Sequence, residues 1–154
     1  MIKRIKDESQ LMGKWKISAG KKNYFHVFLW PSQETFDQNT YDNKPGESSG
    51  CVNLAPPYIE VYKDGTTSEE MIRPKLGEVH FIKDKWDMEV VAHELFHALM
   101  HRLRFVKPSA EDIMEQVGSS EEDVAYEFGR WVDKIYRKLW EKDSEGSKWE
   151  RIGP

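Results

Sequence analysis

The first half of the chain contains short runs of apolar, β-branched and aromatic residues that stop at Pro, Gly or polar residues, a pattern typical of β-strands. The run Tyr24–Trp30 (YFHVFLW) is the clearest, because it is almost entirely apolar and Pro31 follows it directly. The pattern predicts strands at residues 15–17, 24–30, 58–62 and 78–82, a short helix at residues 31–38 and a loop at residues 41–49.

In the second half the spacing of apolar residues changes to about 3.6, the period of an amphipathic helix. Asp84 is predicted to be the N-cap of a helix over residues 85–105, which ends before Pro108. A short helix is predicted at residues 109–118, and a long helix runs from residue 119 or 120 to about residue 141. The long helix has a stripe of core-facing apolar residues: Val124, Phe128, Trp131, Ile135 and Leu139.

Strands that precede helices predict an α+β fold. A chain of 154 residues has the size of one domain and can bury a core of its own. We therefore expect one domain over residues 1–142, with a mixed sheet of three or four strands packed on two helices, and a polar tail at residues 143–154.

Charge and cysteine content exclude several classes of function. The net charge is −4, from 23 Lys and Arg against 27 Asp and Glu, so we expect no nucleic-acid partner and no polybasic membrane anchor. No apolar run approaches the roughly 18 residues of a membrane-spanning helix, and the basic start lacks the apolar stretch of a secretory signal. The single cysteine, Cys51, cannot form an internal disulfide, which favours a reducing, cytoplasmic location.

His93, Glu94 and His97 form the pattern H-E-x-x-H inside the first long predicted helix. Residues four apart on a helix lie one turn apart on the same face, so the two imidazoles can bind one zinc ion. Zinc lowers the pKa of water to about 7, and Glu94, offset by one residue, is placed to accept the proton of that water. Apolar residues on nearly every side of this segment predict a central, buried helix.

A catalytic zinc site usually has three protein ligands, and several residues are candidates for the third. His101 lies eight residues after His93, about 12 Å along the axis, which is too far for one straight helix to reach a single ion. Glu122, near the start of the last helix, is the preferred candidate, with Glu121 and His101 as rivals. Glu122 also stands three residues after Ser119, where a capping box is a sufficient structural reason for a glutamate.

These two helices together resemble the gluzincin metallopeptidases, in which an H-E-x-x-H helix pairs with a later helix reading roughly N-E-x-x-S-D-x-F-G. Residues 122–129 (EDVAYEFG) carry the second half of the resemblance, and are also similar to a helix of small intracellular metallopeptidases that cleave phage or stress repressors. The resemblance covers residues 90 to about 129 and implies a zincin-like fold with one zinc ion. It implies these site residues: the ligands His93, His97 and Glu122, and the general base Glu94.

Two positions depart from the gluzincin pattern. Tyr126 stands where the family has an Asp that orients a ligand histidine, so that role would fall to Tyr126, Asp87 or Glu127. Tyr126 is also the first candidate for stabilising the oxyanion, ahead of His101. The second departure is Glu121, which occupies the position of the family's Asn.

The expected function is a zinc-dependent metallopeptidase that hydrolyses a protein or peptide substrate. The alternative is a zincin-fold regulatory or interaction protein that binds metal with little or no turnover. By analogy with zincins, the strand before the active helix, residues 77–82, is expected to form the sheet edge to which an extended peptide adds. His80 on this strand is expected to be a polar residue that points outward.

Overall fold

The computed structural model describes residues 7–20, 22–40, 46, 48–106 and 121–143. Most of the loop predicted at residues 41–49, the short helix at residues 109–118, the candidate caps Ser119 and Ser120, and the tail after residue 143 lie outside the described residues. The described elements are a short 3-10 helix (Glu8–Gln10), β1 (Gly13–Ser18), β2 (Tyr24–Trp30), α1 (Gln33–Asn39), β3 (Gly50–Leu54), β4 (Lys75–Ile82), α2 (Met88–Val106) and α3 (Glu121–Asp143).

The four strands form one mixed sheet in the order β1-β2-β4-β3. The outer strands β1 and β3 pair antiparallel with β2 and β4, respectively, whereas the central strands β2 and β4 run parallel. A parallel pair requires a crossover connection, and here the crossover contains α1 and β3. The predicted α+β fold, with a mixed sheet first and long helices later, is confirmed.

Three of the four predicted strands are confirmed, at residues 15–17, 24–30 and 78–82. The prediction of a strand at residues 58–62 is wrong. This segment makes only isolated antiparallel β-bridges, Tyr58 with Met71 and Val61 with Thr67. The fourth strand is instead β3, whose sequence GCVNL begins with Gly and contains Asn, two residues that are depleted in strands. Pairing with β4, rather than local propensity, makes this segment a strand.

Alternate residues of the strands supply two apolar clusters, one on each face of the sheet. The larger cluster lies between the sheet and the two long helices, and its members include Phe25, Leu29, Val79, Phe81, Leu95, Leu103, Ile135 and Leu139. The smaller cluster lies on the other face, under α1, and consists of Phe28, Trp30, Phe36 and Ile82. The sheet is therefore covered by α2 and α3 on one side and by the short α1 on the other.

Two helices begin a few residues later than predicted. In α1 the N-cap is Ser32, whose hydroxyl accepts a hydrogen bond from Thr35 N at 3.2 Å, so Pro31 precedes the cap. In α2 the carboxylate of Asp87 caps the first turn by accepting a hydrogen bond from Val90 N at 2.8 Å. A short polar side chain at this position satisfies a backbone N–H that has no partner within the helix.

Asp84, the predicted N-cap of α2, has a different role. Its φ is 65°, so it lies in a left-handed turn, and its backbone N–H donates to Asp143 Oδ2 at 3.0 Å. Trp86 Nε1 donates to the same carboxylate oxygen at 2.6 Å. Asp143 is buried and is the last residue of α3, so these bonds join the end of α3 to the start of α2. The two helices consequently run antiparallel.

The apolar stripe of α3 is confirmed, with Trp131, Ile135 and Leu139 buried and the other two members partly buried against the same core. The expectation that α2 is buried on all sides is wrong, because Phe96 is 51% and Met100 38% exposed. One side of α2 packs on the sheet and α3, which leaves a second side open. None of the helices in the described part of the chain is long and apolar enough to cross a membrane.

Candidate metal centre

His93 and His97 lie one turn apart on the open side of α2, as the helical spacing predicts. Their Nε2 atoms are 3.2 Å apart, and their ring centroids are 4.8 Å apart. Two N–H groups cannot face each other at this distance, so at least one of the two nitrogens presents a lone pair. The His93 side chain is 66% exposed, so solutes can reach the pair from solvent.

This separation fits the geometry of zinc. Zinc–imidazole bonds are about 2.0–2.1 Å long, and in a tetrahedral site the two bonded nitrogens are therefore about 3.3 Å apart. The observed 3.2 Å between His93 Nε2 and His97 Nε2 is close to that value. The two imidazole nitrogens are therefore close enough to each other to bind one zinc ion.

Glu94 points away from the open side of α2, toward the start of β3. Its side chain is 11% exposed, and its Oε1 atom is 4.0 Å from His93 Nε2. With His93 it lines an open cleft of about 280 Å³, whose other lining residues are Ser48, Ser49, Gly50, Glu89 and Val90. The carboxylate is therefore beside the histidine pair and within reach of a small molecule in the cleft.

Gly50 and Glu94 line the same cleft, one from β3 and the other from α2. A Cβ atom at residue 50 would lie 3.0 Å from the carbonyl oxygen of His80 and 3.3 Å from Glu94 Cγ. The absence of a side chain therefore lets β3 approach α2 closely. No local motif in the sequence marks Ser48, Ser49 or Gly50, since only the pairing of β3 with β4 brings them to the helix.

The third metal ligand stays a prediction. Glu121 and Glu122 are both exposed in the first turn of α3. In the part of the chain that the structure describes, no group of three or more His, Cys, Asp or Glu side chains is arranged to hold a metal ion. A Cβ atom at Gly129 would have no described atom within 4 Å, so this glycine does not mark a close contact between described helices.

The residues considered for orienting a ligand histidine have separate positions. Asp87 caps α2, and Glu127 Oε1 lies 3.2 Å from Arg102 Nε, so both carboxylates are held by other contacts. Tyr126 is 64% exposed, and its role stays a prediction.

His101 is buried, and its ring contacts the ring of Phe25 edge-on, with ring centroids 6.4 Å apart. Burial and the nearby Arg104 charge lower the pKa of His101, while a hydrogen bond with the Ala55 backbone opposes this shift.

His80 does not point outward as expected. It is fully buried under α1, where it stacks on Phe28 with ring centroids 4.9 Å apart. Trp30 Nε1 donates to His80 Nδ1 at 2.9 Å, and His80 Nε2 is 3.2 Å from Glu78 Oε1. Because Nδ1 accepts a hydrogen bond, the ring is neutral and its proton is on Nε2, which donates to Glu78.

The sheet edge beside the cleft is also different from the prediction. Residues 77–82 lie in β4, which is a central strand flanked by β2 and β3. The expectation that this strand forms the edge is therefore wrong, because the unforeseen strand β3 occupies its outer side. β3 is the outermost strand of the described sheet on this side, and its first residue, Gly50, lines the cleft.

Comparison with known proteins gave no matching family model, no matching curated protein and no matching solved structure.

Proposed function

We propose that this protein is a zinc-dependent metallopeptidase. The observation that carries the proposal is the 3.2 Å separation of His93 Nε2 and His97 Nε2, with the Glu94 carboxylate beside them in an open cleft. A purely structural zinc site uses four protein ligands and needs no adjacent base. The intact Glu94 therefore favours a hydrolytic site.

Each residue of the site has a chemical role in this proposal. His93 and His97 supply neutral imidazole nitrogens, and Glu122 supplies the third ligand. When bound, zinc lowers the pKa of water to about 7 and polarises the substrate carbonyl. Glu94 accepts the proton of the attacking water and later delivers it to the leaving amine. Tyr126 donates a hydrogen bond from its exposed hydroxyl to the developing oxyanion.

The substrate of the proposed reaction is a peptide or protein in extended conformation. β3 is the outermost described strand beside the cleft, so its outer backbone groups are suited to pair with such a chain. Main-chain hydrogen bonds of this kind give affinity for many sequences, while the cleft selects the bond that is cut. We further propose a cytoplasmic location, because a lone Cys51 is typical of a reducing compartment.

A second candidate function is metal binding without turnover, in a regulatory or interaction protein. It is favoured by the lack of a third ligand beside the histidine pair among the described residues. A catalytic zinc site usually has three protein ligands and an open position.

Zinc content and hydrolysis distinguish these possibilities. The proposal predicts about one zinc ion per purified chain, lost in His97→Ala and retained in a matched control, His26→Ala, on the other face of the sheet. Glu94→Gln should retain zinc and lower the rate of casein hydrolysis roughly 10²–10⁴-fold. Bound zinc without casein hydrolysis, in the parent chain as well as in Glu94→Gln, would favour the second function. A chain that binds no zinc contradicts both.

A further inference from the structure

A second cleft lies on the opposite side of α2 from the histidine pair. Its volume is about 420 Å³, and its lining includes Ser18, Arg102, Glu127, Arg130, Trp131 and Lys134. Arg102 follows His93 by nine residues, or two and a half helical turns, which places it on the reverse side and about 13.5 Å along the axis. This cleft is therefore separate from the proposed metal centre.

The lining carries a local excess of positive charge. Arg102, Arg130 and Lys134 contribute three cations, and Glu127 contributes one carboxylate, so the cleft has a formal charge of +2. The whole chain has a net charge of −4, so this surface has the opposite sign to the protein. Arg130 is exposed, and Lys134 Nζ donates to the Lys16 carbonyl at 2.8 Å, which holds that ammonium at the rim.

Arg102 is the least exposed cation of the cleft: its side chain is only 16% exposed, whereas Arg130 and Lys134 are exposed. Its Nε donates to the Ala19 carbonyl at 3.1 Å and lies 3.2 Å from Glu127 Oε1. Its Nη1 is buried and has no hydrogen-bond partner among the described residues. A buried N–H of a charged group without a partner costs free energy. An anion in the cleft would lie beside a guanidinium whose Nε already contacts Glu127, and would compete with that carboxylate for the positive charge.

We propose that this cleft binds a phosphate monoester group of a small molecule. A phosphate monoester carries a charge of about −1.5 to −2 at pH 7, which matches the excess of the lining. The planar guanidinium group of the exposed Arg130 can donate two parallel hydrogen bonds to phosphate oxygens, and the ammonium group of Lys134 adds a second positive charge. Trp131 and Ile17 form an apolar floor for the carbon part of the ligand. The site is independent of the proposed peptidase activity.

Nuclear magnetic resonance titration of the full chain tests this proposal. The probes are inorganic phosphate, phenyl phosphate and benzoate, and the readouts are the Trp131 indole N–H and the backbone amides of Ser18 and Gly20. Phenyl phosphate should bind more tightly than inorganic phosphate, because its ring covers the apolar floor. Benzoate, with one negative charge, should bind most weakly. Zinc content should have no effect on these affinities.

Charge variants make the assignment specific. Arg130→Gln with Lys134→Gln should weaken phenyl phosphate binding about tenfold or more. The matched control removes two cations of the same helix that do not line the cleft, Arg137→Gln with Lys138→Gln, and should change the affinity less than about twofold. Glu127→Gln should strengthen binding, since it removes the competing carboxylate. Equal losses in the two double variants, or no saturable shift up to about 10 mM probe, would overturn the proposal.

Discussion

His93 Nε2 and His97 Nε2 lie 3.2 Å apart on the open side of α2, near the separation that a tetrahedral zinc ion imposes on two imidazole ligands. Both residues belong to one helix, so their relative geometry does not depend on packing between distant segments. The adjacent Glu94 points to the cleft formed with the start of β3. The histidine pair and the Glu94 carboxylate thus lie on two sides of the same helical turn.

The identity of the third ligand can be tested with two neighbouring glutamates. Glu122→Ala should weaken zinc binding by more than the roughly 10–100-fold that loss of an outer hydrogen-bond partner costs. Glu121→Ala removes the same charge one residue away and should leave the affinity nearly unchanged. Competition with a chromogenic chelator measures both affinities. A larger loss in the Glu121 variant would transfer the ligand role to that residue.

Gly50 is expected to position Glu94. A Cβ at residue 50 would lie 3.0 Å from the His80 carbonyl oxygen and 3.3 Å from Glu94 Cγ, so Gly50→Ala must displace β3 or the glutamate by a few tenths of an ångström. We expect kcat/KM to fall about tenfold while zinc content stays the same.

The matched control for this experiment is Gly129→Ala on α3, where the added Cβ would have no described atom within 4 Å. This substitution should leave hydrolysis unchanged and stabilise the protein by about 0.5–1 kcal/mol, because alanine favours the helix. Peptide hydrolysis and thermal unfolding are measured for both variants. Unchanged activity in Gly50→Ala would show that Glu94 tolerates the added methyl group.

His80 is expected to contribute strongly to stability. His80→Ala removes the acceptor of the buried Trp30 Nε1 and the donor to Glu78, and it leaves a cavity under α1. The free energy of unfolding should fall by about 2–4 kcal/mol. Urea denaturation measures the change, and His26→Ala, at a half-buried position on the same face, should cost less than about 1 kcal/mol. Similar losses in the two variants would argue against a special role for His80.

Stability should decrease as the solution becomes acidic. Burial is the main reason why the pKa of His101 lies below its ordinary value of 6.5, so the folded protein favours the neutral ring. Between pH 6.5 and the lower pKa of the folded state, the unfolded chain binds more protons, and folding becomes less favourable as pH falls. Above pH 6.5 both states are neutral at this residue and the penalty disappears.

The pKa of His26 is also lowered, first by burial and then by the Lys75, Lys14 and Lys16 charges, so it acts in the same direction. Melting temperatures between pH 7 and pH 5 measure the combined effect. His101→Gln should make the decline with acidification shallower than in the parent chain. An identical decline in both chains would show that His101 does not contribute.

The strands at residues 24–30 and 78–82 and the apolar stripe of α3 were predictable, because each is carried by a regular local pattern of apolar residues. The strand at residues 58–62 was predicted from the same kind of pattern but finds no continuous partner. β3 was missed for the opposite reason, since its weak local propensity is overcome by pairing with β4. Both errors concern hydrogen bonds between segments far apart in the chain.

The sequence by itself determined the histidine pair, because an i, i+4 spacing on a helix brings two side chains together whatever surrounds the helix. It also determined the α+β class, since the apolar period changes once, from strands to helices. Only the tertiary structure decided that His80 is buried, that β3 forms the edge beside the cleft, and that Gly50 faces Glu94. The tertiary structure also brings Arg102 of α2 together with Arg130 and Lys134 of α3 in one cationic cleft. These relationships arise from strand order and helix packing, which join residues that no local spacing connects.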